Sequence, residues 1–226
     1  MRFELTKDFL GLIRVKIAEG DELWLTENVL ELHYADVAEI LDKLTNDQAK
    51  FIYFLVDEDT QADILMELEE EVRDRFIASL STKEIADQLE NLDSDDAADI
   101  LGELSSRQIQ EVISQMEDDE AAEDIVDLLN YDEDTAGGLM GKELVKVNEN
   151  WNVLTCVKEM RLQAENISRV HSIYVIDDEE RLKGRLSLKD LLTTSTKTPI
   201  SQVYIKKVNY VKVDAMYVKA FLEIQN

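Results

Sequence analysis

The chain has 226 residues, with 50 acidic against 24 basic side chains and a formal net charge of −26. That length allows one large domain or two modest ones, each with its own core. No apolar run approaches the ~18–20 residues of a membrane-spanning helix, Met1 to Leu12 has no signal-peptide pattern, and one cysteine, Cys156, can build neither a disulfide framework nor a thiolate metal site.

Chain order begins with a helix over Thr6 to Glu19 that stops at Gly20, and Glu22 to Glu31 also reads as helical, a cap on the stack of helices beyond it. From Ala35 to Asn130 apolar residues recur every twelve positions. One column is Leu44, Val56, Leu68, Leu80, Leu92, Leu104, Met116 and Leu128; a second, three residues earlier, runs from Leu41 through Tyr53, Leu65, Ile77, Leu89, Leu101 and Ile113 to Ile125. A third, from Ile40 to Val112, is broken at Gln88 and Asp124. Apolar groups at i, i+1 and i+4 form the inner stripe of a helix, so the period predicts eight short helices joined by tight turns. Thr45 with Gln48, Ser81 with Glu84, and Ser105 with Gln108 have capping-box spacing, and Asp93 with Asp96 is a looser version. Helices this short must bury their stripes on neighbours, which predicts a right-handed α-solenoid.

The charge is not spread evenly. Met1 to Ala136 carries 39 acidic and 10 basic residues, whereas Gly137 to Asn226 carries 11 and 14. Such a field repels nucleic-acid phosphates and gathers cations or basic partners. Two residues before the second apolar column stand Glu39, Phe51, Asp63, Arg75, Asp87, Asp99, Glu111 and Glu123, and Asp95 lies one helical turn before Asp99 with Asp96 beside it. Two carboxylates ~6 Å apart repel by roughly 3 kcal/mol at an effective dielectric of ~20, and a cation between them reverses the sign. Mg²⁺, which keeps much of its water and takes one or two carboxylates, suits scattered acidic pairs, and no EF-hand loop argues for Ca²⁺. The same column also reads as the solvated outer face of a solenoid, and the pattern alone leaves both readings open.

The repeat stops after Asn130. In Tyr131–Met140, Y-D-E-D-T-A-G-G-L-M, the paired Gly137 and Gly138 permit positive φ and close backbone approach, and exposed carbonyls there are possible hard-ion ligands. Beyond it the pattern predicts a strand at Glu143–Val147, a helix at Val153–Ala164, strands at Ser172–Asp177 and Arg181–Leu188 joined over Asp178–Glu180, and a short helix at Leu188–Thr194, in the order β-α-β-β-α. No nucleophile–base pair or phosphate-cradling glycine loop stands out, so the expectation is a non-enzymatic protein. His33 and His171 have no partner that suggests a triad or zinc site, Trp24 and Trp151 read as packing anchors, Cys156 as a small buried hydrophobe, and Lys189 as either a phosphate neighbour or a solvent-facing lysine.

The β-α-β-β-α order with G-R-L-S-L-K-D at Gly184–Asp190 resembles a cystathionine-β-synthase (CBS) domain. In that family the hydroxyl and carboxylate at the positions of Ser187 and Asp190 bind the ribose or phosphate of an adenine nucleotide such as ATP; the plainer alternative is that both residues only serve the start of the helix. The acidic repeat, with A-D-V-A-E-I-L-D-K-L at Ala35–Leu44 and D-D-A-A-D-I-L-G-E-L at Asp95–Leu104, followed by D-T-A-G-G-L-M and a CBS domain, resembles the cytosolic portion of MgtE-type magnesium transporters and channels. The fold expected is multidomain α plus α/β: an acidic helical domain at 1–130, a junction at 131–142, a first CBS domain at 143–199 and, at 200–226, a second CBS domain only begun, with Ala215–Asn226 departing from the family pattern.

That resemblance implies a Mg²⁺ sensor on the cytoplasmic face of a membrane-embedded, homodimeric Mg²⁺ pathway, dimerised through CBS domains and with a transmembrane domain beyond this sequence. Mg²⁺ between the acidic and CBS domains would favour the closed state. By motif match the acidic-side ligands are Asp63, Asp95 and Asp99, with a backbone contribution from Gly138. A different class of function, an acidic scaffold that binds a basic protein partner and carries a nucleotide-responsive CBS module, stays open beside it.

Overall fold

The computed structural model describes residues 3–164, 167, 170 and 172–216, and His171 lies outside them. By contacts the chain forms two units, one comprising Met1–Leu92 and Asp96–Ile125, the other Asp93–Asp95 and Val126–Asn226.

The first unit opens with α1 (Lys7–Glu19), whose N-cap Thr6 accepts the Phe9 N–H. Gly20 ends it with φ +66°, and the Gly20 and Asp21 N–H groups return to the Ile17 and Lys16 carbonyls at 3.0 Å, a left-handed cap that only glycine adopts without strain. The stretch expected to be helical after it is α2 (Glu22–Leu25) running into a single π-type turn, Thr26–Leu30. Trp24 packs against Phe9 with ring centroids 6.2 Å apart, and the buried Ile13, Leu25 and Val29 form the floor of this end. His33 acts as a cap, its Nδ1 accepting the Ala35 N–H.

Eight short helices follow: α3 (Tyr34–Asp42), α4 (Asn46–Tyr53), α5 (Glu58–Glu67), α6 (Glu70–Ile77), α7 (Thr82–Leu89), α8 (Ser94–Gly102), α9 (Ser106–Ile113) and α10 (Asp119–Leu128). The three capping boxes at Thr45, Ser81 and Ser105 all form, each satisfying two backbone donors that would otherwise lack partners. Along the second apolar column Leu41, Tyr53, Leu65, Ile77, Leu89, Leu101 and Ile125 are buried, and only Ile113 is partly exposed. Packing joins α3 to α5, α5 to α7, α7 to α9, and α4 to α6, so alternate helices stack and the structural repeat is twice the sequence period.

Gln88, where the third column breaks, is 3% exposed yet bonded at both ends of its amide. The Tyr53 hydroxyl donates to Gln88 Oε1 at 2.5 Å, Gln88 Nε2 donates to Gln61 Oε1 at 2.9 Å, and Gln61 Nε2 donates to the Val56 carbonyl at 2.7 Å. This buried relay ties α4, α5 and α7 together, and burial pushes the Tyr53 phenol well above its ordinary range.

In the second unit, β1 (Val145–Asn148) pairs in parallel with β2 (Ile173–Ile176), and β2 pairs antiparallel with β3 (Leu182–Leu186), in the order β1-β2-β3. The parallel connection carries α11 (Val153–Gln163), and α12 (Leu188–Thr193) follows β3, giving the expected β-α-β-β-α. Val145, Val147, Cys156, Ile173, Val175, Leu186 and Leu191 form the core, with Trp151 packed against it. The β2–β3 turn is organised by Asp177, which accepts the backbone N–H groups of Glu179 and Arg181 and the Arg181 Nε–H, while Glu180 takes φ +60°. Among the described residues no helix is long and apolar enough to cross a membrane.

Candidate metal and nucleotide sites

The acidic column does not stay a single file once alternate helices stack. Glu39, Asp63, Asp87 and Glu111 lie on α3, α5, α7 and α9, each packed on the next, an unbroken acidic file; Phe51 and Arg75 lie on α4 and α6, which also pack together, and Asp99 and Glu123 lie on α8 and α10. Two members of the first file are engaged by the lysine or arginine one turn earlier: Lys83 Nζ meets Asp87 at 2.9 Å, and Arg107 Nε meets Glu111 at 2.8 Å. Those pairs behave as ordinary exposed helix ion pairs. Asp63 and Asp99 are both exposed, each immediately before a buried isoleucine, Ile64 and Ile100. Although they share a phase in the sequence, Asp63 belongs to the file on α3, α5, α7 and α9, whereas Asp99 is on α8, outside it.

Asp95, half-buried in the first turn of α8, sits one turn from Asp99. A Cβ built on Gly141 would stand 3.3 Å from Asp95 Oδ1 and 2.9 Å from Glu143 Oε2, so both carboxylates close on this bare backbone. Among the described residues no group of three or more His, Cys, Asp or Glu side chains is arranged as a metal cage. Asp63, Asp95 and Asp99 each offer hard carboxylate oxygens, the donor type of which an ion such as Mg²⁺ takes one or two while keeping several waters.

The junction glycines are needed for close approach. The only glycine with positive φ among the described residues is Gly20. A Cβ on Gly137 would overlap the Tyr131 ring, and one on Gly138 would stand 2.5 Å from the Asp132 carbonyl oxygen and 2.9 Å from Glu133 Cα. Thr135 Oγ1 donates to the Asp132 carbonyl at 2.6 Å and accepts the Gly138 N–H at 3.3 Å, which folds Asp132–Gly138 into a tight turn. The Ala136 and Gly137 N–H groups then donate to the Ala215 and Val213 carbonyls, each at 2.8 Å.

Near the G-R-L-S-L-K-D motif lies a cavity of about 320 Å³ whose lining includes Ser172, Ile173, Arg185, Ser187, Leu188 and Ile205. Ser187 occupies the N-cap position of α12, yet its side chain makes no cap hydrogen bond, which speaks against the purely capping alternative for this residue. Asp190 is half-buried in the first turn of α12. Sequence reasoning passed over Arg185, the cation at this cavity, although it stands inside the motif. Gly184 also gains a reason: a Cβ there would overlap the Ile205 carbonyl and the Tyr204 ring, against which Arg185 pairs through N–H···O bonds of 3.1 and 2.9 Å with Ile205. The one cysteine lies elsewhere, in the core, where burial pushes the Cys156 thiol up to about 11.

The solenoid of short helices and the β-α-β-β-α module after it coincide with two family matches. Residues 32–134 match the MgtE intracellular N domain family and residues 136–196 the CBS domain family. The chain is homologous to the MgtE magnesium transporters and has the fold of their cytosolic part. It is 30% identical over 210 residues to the magnesium transporter MgtE of Thermus thermophilus, a match covering 88% of this chain and 44% of that protein. To the magnesium transporter MgtE of Enterococcus faecalis it is 32% identical over 85 residues, 38% of this chain and 19% of that one. The chain thus spans less than half the length of these relatives. A crystal structure of the cytosolic domain of the Mg²⁺ channel MgtE in complex with ATP superposes with a TM-score of 0.83 at 28% identity, over 94% of this chain and 87% of that one. The soluble part of a magnesium transporter shares the fold, with a TM-score of 0.81 at 24% identity over 97% and 86% of the two chains.

Proposed function

We propose that this chain is the cytosolic Mg²⁺-sensing region of a magnesium transporter or channel, at the cytoplasmic face of the membrane. Mg²⁺ would bridge the acidic helical domain, 1–130, and the CBS region, which begins at 143 after a junction at 131–142, and would favour the closed state. A first CBS domain occupies 143–199, and the stretch from 200 is read as the opening of a second. The transmembrane domain of the same protein and a second copy, joined through CBS domains, are the partners this reading requires.

The observation that carries the proposal is the pair Asp95 and Asp99, one turn apart on α8 of a strongly acidic domain, in a chain homologous to MgtE over 88% of its length. Asp63 on α5 and the Gly138 backbone complete the proposed acidic-side ligands. Bringing carboxylates together costs several kcal/mol at low effective dielectric, and a divalent ion removes that cost. The CBS cavity would take an adenine nucleotide, with Ser187 and Asp190 at its ribose or phosphate and ATP as the first candidate, a reading supported by the ATP complex of the homologous cytosolic domain.

The test is a MgCl₂ titration of protease protection and small-angle scattering against NaCl of equal ionic strength, on this chain and on Asp95→Ala/Asp99→Ala. A sensor compacts in MgCl₂ well before it does in matched NaCl, and the double substitution raises the Mg²⁺ requirement at least tenfold. Identical compaction in the two salts would leave only general screening, as expected of an acidic scaffold.

A further inference from the structure

We infer that Glu143 is a positioning residue for the cation-binding carboxylate of Asp95 at the start of α8, acting through a clasp made by Gly141, Lys142 and Glu143. The inference rests on the sensing role proposed above for Asp95. Ser94, the first residue of α8, is 4% exposed. Its backbone N–H donates to Glu143 Oε1 at 2.8 Å and its hydroxyl donates to Glu143 Oε2 at 3.1 Å, so one carboxylate takes both donors of a residue 49 positions away. The Ser94 hydroxyl oxygen in turn accepts the Lys142 N–H at 2.9 Å, and the Lys142 ammonium pairs with Asp127 at the end of α10.

Four N–H groups at a helix start lack intrahelical partners, and the positive end of the helix dipole favours an anion there. Glu143 supplies both a partner and the charge, and charge-assisted bonds of this kind are about twice as strong as neutral ones. Asp95 is the next residue along. Its Oδ1 and Glu143 Oε2 both face the vacant Cβ position of Gly141. The clasp therefore fixes the backbone that carries Asp95 and holds a second negative charge beside it, so a cation finds its ligand already placed. Pre-set ligands raise affinity because their ordering cost is met before binding. No short-range pattern links Ser94 to Glu143, and neither residue belongs to the motif-matched ligand set.

The experiment uses the whole chain with Glu143→Ala, the milder Glu143→Gln, which keeps one acceptor oxygen, and Ser94→Ala. Two quantities are read: amide hydrogen exchange at Ser94 and Asp95 without Mg²⁺, and the MgCl₂ concentration giving half-maximal protease protection against matched NaCl. Glu143→Ala is expected to speed exchange at those amides at least tenfold with α4–α6 unchanged, and to raise the half-point about tenfold. Glu143→Gln falls between, and Ser94→Ala adds little to Glu143→Ala. Exchange unchanged in Glu143→Ala overturns the clasp. Faster exchange with an unmoved half-point overturns the positioning role and leaves a helix cap. A wild-type chain with no Mg²⁺-specific response overturns the sensing role, and positioning with it, whatever the exchange data show.

Discussion

Removing one oxygen atom, Tyr53→Phe, tests whether the buried relay is a stabilising element of the repeat. Its hydroxyl donates to Gln88 Oε1 at 2.5 Å in a site where Tyr53 is 0% and Gln88 3% exposed, so no water replaces the lost donor. A buried acceptor left unsatisfied costs about 1–3 kcal/mol, and in a chain of this size each kcal/mol lowers the melting midpoint by roughly 2–4 °C. The expected fall is therefore about 2–12 °C in thermal melts, with a matching shift in the urea midpoint at unchanged m. Gln88→Leu strands both the Tyr53 hydroxyl and Gln61 Oε1 and should cost at least as much. In the double variant the two losses overlap, so the cycle should show non-additivity of about 1–2 kcal/mol. Additivity within ~0.5 kcal/mol, the behaviour of independent sites, would refute the relay.

Further predictions use the same melts. Gly138→Ala should destabilise by about 1–3 kcal/mol because backbone atoms of Asp132 and Glu133 block the new Cβ, whereas Gly11→Ala, with open space inside α1, should stabilise by about 0.5–1 kcal/mol. Cys156 should resist thiol reagents in the native state and react in urea. Its folded value of about 11 lies above the ordinary thiol value, so its contribution to stability is complete below about pH 8.5 and is lost as pH rises toward 11; Cys156→Ala should flatten that fall. The opposite sign holds at the β2–β3 turn. The Arg181 backbone N–H, then the Arg181 guanidinium, hold the Asp177 carboxyl below its usual range, so its contribution is present above about pH 4 and lost on acidification, and Asp177→Asn should blunt the acid limb of the stability profile.

Much of the fold was legible because its determinants are local and periodic. The twelve-residue columns, the three capping boxes and the Gly20 stop each act within a few residues, and all appear as read. What was not legible depends on partners far apart in sequence. Gln88 reads as a defect in an apolar column, and its partners Tyr53 and Gln61 lie 35 and 27 residues away. The acidic column reads as one file because sequence phase ignores the alternation of stacked helices, which separates Asp63 from Asp99. Gly137 and Gly138 invite a positive-φ reading, but the demand comes from the Tyr131 ring and the Asp132–Glu133 backbone. The Ser94–Glu143 clasp spans 49 residues with no motif at either end.

The bonds from Ala136 and Gly137 to Ala215 and Val213, with the bridge between Thr135 and Met216, fasten the segment entering the CBS module to the segment leaving it. Mechanically this is a loop clipped at its neck. A pull or twist arriving at Asp132–Gly138 is handed straight to Val213–Met216, in parallel with the three-stranded sheet rather than in series through it. The cavity beside β3 touches this chain path at Ile205, eight residues before the clip.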